Sequence, residues 1–439
     1  MNTDISIYLL VTIGIGIILF EYKRRELDFL ALFSAFYFIA YVLSPLHILI
    51  GGEQFVHSNI RVVLDEFQIG SLESVLSIAL LYILVACSYI VATRKVANRK
   101  LPEVKISFRF ARGLIVFSLI FSVISIIIYS SQYGGIVDSI RYAGAIRSGE
   151  VEEGGSFVFF KQPTSFAYVA VILLFGLVIN EDNRTKLVKI LFLISILVAV
   201  VVAALRASRV APLTVVLTCY LVAVSYNGRI YAKYLVVMGI LSGIFITFSN
   251  AIFHLYRLGI DGFIDHILST DIFDIYSSVW QQFAHMYLSL EVSIQSPEHS
   301  PRYIQDWVDG AVHVLPSTLL GIDQPGTVSH VNTYIITGEY VSVLIPGLVA
   351  FFWYSGMWVG IVLGAVLYGV AGAGISQWIN YFERDPLQLG IYYSAALIWG
   401  FQFVRAGDPR ILYRGQIVWI ITFGILLLYM MNKNYRTNE

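Results

Sequence analysis

Long apolar stretches recur along this chain and constrain its fold more than any other feature. A helix needs about 17 to 25 apolar residues to cross the hydrocarbon core of a bilayer, which is roughly 30 Å thick. An open strand would leave backbone groups unpaired in lipid, so each stretch is predicted to be a helix. Eleven such stretches are recognised, at residues 4–20, 28–46, 73–92, 113–130, 163–180, 188–205, 210–226, 232–250, 356–378, 388–404 and 415–431.

The composition agrees with lipid as the solvent. Of the 439 residues, 57% are hydrophobic and 13% are charged, whereas about a quarter of the residues in soluble domains are charged. No repeat and no low-complexity linker divides the chain, so residues 1–439 are predicted to form a single integral membrane domain. Cys87 and Cys219 both lie inside apolar stretches, which indicates buried small side chains rather than a disulfide.

The distribution of lysine and arginine predicts the orientation in the membrane. With the N-terminus outside and the C-terminus inside, 18 of the 29 basic residues fall on the inner side and 11 on the outer side. This topology creates a large external loop at residues 251–345 and a smaller one at 131–162. Glycine pairs at both ends of the smaller loop, with an amphipathic stretch between them, predict a helix that lies on the membrane interface.

The residues left on the outer side indicate where function lies. Ten of the eleven outer basic residues are arginine, and all eight histidines are also outside. The planar fork of arginine suits bidentate binding of phosphate or carboxylate better than lysine does. No predicted span carries an ionisable residue in its central part, and ion-coupled transporters usually need one there. We therefore expect the function in the external loops and helix ends.

Two connections are candidate phosphate sites. In LRASRVAPL, Arg206 and Arg209 are spaced i,i+3, so a continuous helix would place both on one face. There they could bind one lipid-linked pyrophosphate. The alternative is that their side chains extend to the lipid headgroups. The loop RAGDPRILYR carries Arg405, Arg410 and Arg414 on the side that should be poor in positive charge. Its partner is predicted to be either an acidic lipid headgroup or a phosphate-bearing substrate.

The external loops also carry candidates for chemistry and for handling an acceptor. The large loop places His330, Asp323 and Glu339 between proline and glycine breaks, and each could accept a proton. If His330 is the base, activity should fall as it protonates near its reference pKa of about 6.5. The spacing of these residues fits no metal-ligand template. The candidates for acceptor handling are Arg141, Arg147, Arg257 and His313.

Several of these features together resemble one family. They are the order of the spans, the stretch SRVAPL, the loop ending in SHVNTYIITGEY, the helix GMWVGIVLGAVLYG and the arginine-bearing loop before the last span. The chain is similar in these respects to the Wzy-type O-antigen polymerases, which are related in arrangement to the O-antigen ligases. Ser208 and Arg209 match the helix start of the ligase motif, with Val210 in place of glycine. His330 matches the loop histidine, with asparagine two positions on, at Asn332.

The resemblance implies a metal-independent glycosyltransferase with a fold like that of the glycosyltransferase C superfamily, in the bacterial inner membrane. Its active site would face the periplasm and move a growing glycan from undecaprenyl pyrophosphate to the non-reducing end of an incoming lipid-linked repeat unit. It would need no cofactor and no nucleic acid. Its partners would be the two lipid-linked substrates, the bilayer and a chain-length-regulating co-polymerase of the Wzz type.

Two alternatives remain open from the sequence. An O-antigen ligase, which moves the finished glycan onto the lipid A core, would use nearly the same residues. A flippase for lipid-linked oligosaccharide would need polar residues along a path through the membrane, which the predicted spans lack. In either transferase we expect Arg209→Lys to lose most activity, because a point charge does not replace a bidentate fork.

Overall fold

The computed structural model describes residues 2–56, 58–97, 106–148, 157–180, 185–208, 210–228, 271–296, 300–314, 326–338, 344–380 and 385–437. All regular secondary structure in these ranges is helical. The helices of the first half are α1 (Asn2–Arg24), α2 (Phe29–Phe38), α3 (Ser44–Gly51), α4 (Val62–Glu66), α5 (Leu72–Ala97), α6 (Phe108–Ser131), α7 (Ile136–Ser148), α8 (Phe166–Ile179), α9 (Lys186–Leu205) and α10 (Val210–Asn227).

The helices of the second half are α11 (Ile272–Gln295), α12 (Gln305–Val312), α13 (Val328–Thr337), α14 (Leu348–Asn380), α15 (Pro386–Leu397), α16 (Val404–Ala406), α17 (Pro409–Gly415) and α18 (Ile417–Thr437). Two π-helical turns, Ile39–Leu43 and Ile398–Phe403, join α2 to α3 and α15 to α16. Short 3-10 turns occur at Gly52–Phe55, Ser58–Ile60, Val158–Lys161 and Pro163–Ser165.

The helices confirm a polytopic membrane protein. Within the described ranges, nine helices are long and apolar enough to cross a membrane, and the bent pair of α17 and α18, at 68° to each other, brings the number to as many as ten. They coincide with ten of the eleven predicted spans. The remaining prediction, 232–250, lies outside the described residues.

Helix α14 is broken near its start. Gly356 and Met357 depart from helical geometry, with a φ of 53° at Met357. The predicted span 356–378 begins at this break, so residues 348–355 form a separate helical segment before it. All of Leu348–Phe351 is fully buried, which explains why an apolar run continues upstream of the span.

The chain divides into two compact units. The first contains Met1–Lys100, Tyr276–Gln377 and Ala396–Gln416. Its core is aromatic, and helices approach closely where glycine faces an aromatic ring. A Cβ on Gly372 would lie 2.1 Å from Cε1 of Phe29, so α14 crosses α2 at a distance that only glycine allows.

The second unit contains Leu101–Ile275, Trp378–Ala395 and Ile417–Glu439. Helix α8 is buried on all sides over most of its length, as expected of a helix that is apolar all round. Gly176 permits its contact with α15, because a Cβ there would lie 2.8 Å from Cα of Leu387. Helix α7 forms where the amphipathic stretch of the smaller loop predicted one.

Helix α11 belongs to the predicted large external loop at 251–345, yet it is not confined to the protein surface. Its second half is buried inside the first unit, with Met286, Leu290 and Val292 fully covered. The carboxylate of Glu291 is also fully buried, and it accepts hydrogen bonds from the backbone N–H groups of Gly70 (2.9 Å) and Ser71 (3.1 Å). These amides precede α5, so Glu291 compensates unpaired donors at a helix start.

Candidate functional site

The start of α13 fixes the orientation of His330. Thr327 occupies the position before the helix, and its backbone N–H donates to Nδ1 of His330 over 3.1 Å. This is a capping box in which histidine takes the place usually held by glutamate or glutamine. In the tautomer in which Nδ1 accepts this bond, the neutral imidazole carries its proton on Nε2. His330 therefore presents a donor to its surroundings.

Asp408 connects the loop before the last span to α13. It precedes α17 and is fully buried. Its carboxylate accepts hydrogen bonds from the backbone N–H of Arg410 (2.8 Å), from Oγ1 of Thr327 (3.0 Å) and from the Ser329 hydroxyl. Three donors on one buried carboxylate hold the two segments in register.

Arg410 completes this group and is held loosely. Its Nη1 lies 3.4 Å from Nε2 of His330, and its Nη2 lies 3.7 Å from Oδ2 of Asp408, although the side chain is only 15% exposed. Charge-assisted bonds of arginine are normally about 2.7 to 2.9 Å long. Since Nε2 of His330 and Nη1 of Arg410 both carry hydrogen, they are two donors that converge. An anionic oxygen between them would satisfy both.

Arg302 ties this group to α12. Its Nε donates to both carboxylate oxygens of Asp306, at 2.9 and 3.0 Å, and its Nη2 lies 3.4 Å from Asp309. The same Nη2 donates to the carbonyl oxygen of Gly326 over 2.8 Å. Arg302 therefore fixes the residue that directly precedes Thr327.

His330 and Asp306 of this cluster have shifted pKa values. Burial and the positive charge of Arg410 lower the pKa of His330 to about 4, against the opposing effect of Asp408. Burial raises the pKa of Asp306 to about 6, and the charge of Asp408 adds to the rise while Arg302 opposes it. At neutral pH the cluster thus contains a neutral histidine beside an arginine.

Other predicted residues lie in or beside this group. The ring of the buried His313 stacks near that of His330, with 6.3 Å between the centroids. Arg414 lies one helical turn after Arg410 on α17 and is half-buried. Arg405 lies beside His285, and burial together with the charge of Arg405 lowers the pKa of that histidine to about 3.

Two predicted residues of the second unit have partners of their own there. Arg206 ends α9 and donates to the hydroxyl of Ser165 and, over 3.0 Å, to Oε1 of Gln162. Arg141 is exposed on α7 and forms an ion pair with Asp138 at 3.0 Å. Arg147 also belongs to α7, but its side chain is outside the described part of the structure. The predicted residues that lie outside the described ranges altogether are Arg209, Arg257, Asp323 and Glu339.

The sequence patterns predicted no part in a functional site for four residues of this cluster: Arg302, Asp306, Asp309 and Asp408. The first three are spaced i, i+4 and i+7, which places them on one helical face. Asp408 followed by Pro409 is the usual start of a helix. These signals existed in the sequence, but they indicated local structure and not a shared site.

The described residues contain no group of three or more histidine, cysteine, aspartate or glutamate side chains arranged to hold a metal ion. What the cluster offers is instead a pair of convergent donors beside a buried carboxylate network. No protein-family model, no curated protein and no solved structure matches this chain.

Proposed function

We propose that this protein polymerises lipid-linked polysaccharide repeat units at the outer face of a bacterial inner membrane, as the Wzy-type O-antigen polymerases do. The observation that carries the proposal is the convergence of Arg410 and His330, whose Nη1 and Nε2 atoms lie 3.4 Å apart. A pyrophosphate oxygen would accept from both. Undecaprenyl pyrophosphate is a carrier that would bring such a group to a multi-pass membrane protein.

In the proposed reaction, a hydroxyl oxygen of the incoming repeat unit attacks the anomeric carbon of the growing glycan. The bond between that carbon and the pyrophosphate oxygen breaks, and undecaprenyl pyrophosphate leaves with the electron pair. Negative charge grows on the departing oxygen as the bond lengthens. Donors already aimed at that oxygen, here Arg410 and Nε2–H of His330, would stabilise the transition state more than the ground state.

The attacking hydroxyl also needs an acceptor for its proton. His330 is poorly suited to this role, because its Nδ1 already accepts from Thr327 and its Nε2 carries the proton. We therefore assign the role to one of the two carboxylates suggested by the sequence, Asp323 or Glu339. Asp408 and Arg302 would act as positioning residues, since they hold Thr327 and Gly326 and so set the orientation of His330.

Deletion of the gene in its own cell tests this proposal against its alternatives. Loss of a polymerase leaves single repeat units attached at the cell surface. Loss of a ligase leaves long glycan on the isoprenoid carrier with none on the lipid A core, and loss of a flippase leaves no glycan displayed. We expect the first pattern, and we expect the Arg410→Ala variant, inserted at the wild-type level, to reproduce it. A normal glycan ladder from Arg410→Ala would contradict the assigned site.

A further inference from the structure

Helix α12 is amphipathic in the sense opposite to that of a helix in a soluble protein. Its acidic residues point inward, with Asp306 fully buried and Asp309 8% exposed. Val308 points outward and is 56% exposed, and Tyr303 and Ile304, which directly precede the helix, are each 70% exposed. In water this arrangement would expose apolar side chains and bury charged ones, both at a cost. It is the favourable arrangement when the outer surroundings are hydrocarbon.

The backbone just before α12 is hydrogen-bonded to α14 beside its break, and the residues around that break indicate its depth in the membrane. The N–H of Arg302 donates to the carbonyl of Tyr354 over 2.9 Å, and that of Tyr303 donates to the carbonyl of Ser355 over 2.8 Å. These carbonyls end the first segment of α14, immediately before the break at Gly356. The start of α12 therefore lies level with this break.

The residues around the break are those of a membrane interface. Trp353 and Trp358 flank it and contact each other edge to face, with 5.3 Å between their ring centroids. Tryptophan is enriched where the hydrocarbon meets the headgroups. Beyond the break, Val359, Leu363 and Leu367 are spaced by four residues and are 59 to 69% exposed, which is the pattern of a helix face towards lipid.

From these observations we propose that the outer surface of the α12 segment, formed by Val308 and by Tyr303 and Ile304 just before the helix, lies against the acyl chains of the bilayer. Helix α12 is then an interfacial helix and not part of a water-exposed loop. The polar side of the same helix carries Asp306 and Asp309, which bind Arg302. The Arg302, His330 and Arg410 cluster would consequently lie within about one helix diameter, or ~10 Å, of hydrocarbon, at the depth of lipid phosphates.

Site-directed spin labelling in lipid nanodiscs tests this directly. A cysteine-free background (Cys87→Ala with Cys219→Ala) receives one nitroxide at Val308→Cys, and its relaxation by oxygen is compared with that by a water-soluble nickel chelate. Leu363→Cys is the matched control for lipid, and Arg61→Cys, whose side chain is 47% exposed, is the control for water. We expect the Val308 label to behave like the Leu363 label, with oxygen the stronger relaxant.

Two results would overturn the inference. A Val308 label that behaves like the Arg61 label would show that the face is in water. A label that neither reagent reaches would show that protein, such as a second copy of the chain, covers the face. If Val308→Cys does not fold, Ile304→Cys reports on the same face with the same expected outcome. Because these readouts involve no glycan transfer, they stand or fail separately from the proposed function.

Discussion

Nη1 of Arg410 lies 3.4 Å from Nε2 of His330, although 80 residues separate them along the chain. The capping bond from Thr327 leaves the imidazole proton on Nε2, so both atoms are donors. Two donors that face each other do not form a hydrogen bond together, so they are a poor arrangement for stability alone. The pair makes physical sense as one half of an anion site, because the ion pair of Arg410 with Asp408 is long, with 3.7 Å between Nη2 and Oδ2.

Replacing Arg410 with lysine tests the role of the guanidinium. We expect Arg410→Lys to insert normally but to lower the rate of glycan transfer on the order of 100-fold, the cost of losing one donor to a developing anion. The matched control is Arg61→Lys, which alters an exposed arginine whose carboxylate partner is 4.0 Å away. Transfer rates in proteoliposomes should separate the two variants. Equal rates would remove Arg410 from the site.

The pH dependence follows from the lowered pKa of His330. Because this pKa is about 4 and not 6.5, the neutral donor form persists as pH falls and is lost only as pH passes through about 4. Transfer should therefore show no step from His330 near pH 6.5, contrary to the expectation for a base with an ordinary pKa. The same shift should reduce the stability of the fold as pH falls from about 6.5 towards 4, because the unfolded state takes up the proton first. A pH–rate profile whose step near 6.5 disappears in His330→Gln would contradict this account.

Glutamine and alanine at position 330 distinguish a donor from a base. Glutamine is a normal residue at this position of a capping box, so His330→Gln should keep the bond from Thr327 and still offer an amide N–H. We expect it to retain part of the activity and nearly all of the thermal stability, whereas His330→Ala should lose more of both. If both variants are equally inactive while His330→Gln is stably folded, His330 acts as a base.

The ion pair of Arg302 and Asp306 predicts a non-additive effect on stability. Arg302→Met leaves the fully buried carboxylate of Asp306 without its main partner, which should cost roughly 3 to 5 kcal/mol. Adding Asp306→Asn removes the buried charge and should restore part of the loss. Unfolding midpoints in detergent, followed by tryptophan fluorescence, measure both variants. A double variant less stable than Arg302→Met would show that the ion pair is not the source of the cost.

The fold class was predictable because each membrane span is one contiguous apolar segment, which can be recognised without knowing its neighbours in space. Lys186–Leu205 is apolar almost throughout, and lipid admits only a helix there. The buried position of helix α11 was not predicted, because the evidence for it is not contained in its own segment. Its burial depends on partners far away in the sequence, such as the amides of Gly70 and Ser71, which donate hydrogen bonds to the carboxylate of Glu291. No local sequence pattern indicates such partners.

The site was predictable only in part. Arg410 and His330 stood out by residue type and position, because arginines on the outer side contradict the usual charge distribution. Their pairing depends on Asp408, which holds Thr327 from 81 residues away. The role of Arg302 follows from its side-chain bonds to Asp306 and Gly326, which spacing alone does not reveal.

Product analysis with purified components measures the proposed polymerisation of lipid-linked repeat units directly. The protein in lipid nanodiscs is incubated with undecaprenyl-pyrophosphate-linked repeat units as the sole glycan source, and the products are separated and weighed by mass spectrometry. We expect a ladder of two, three and more units on the isoprenoid carrier, reduced strongly by Arg410→Lys and unchanged by Arg61→Lys. Repeat units that stay single, or that transfer only when lipid A core is supplied, would contradict it.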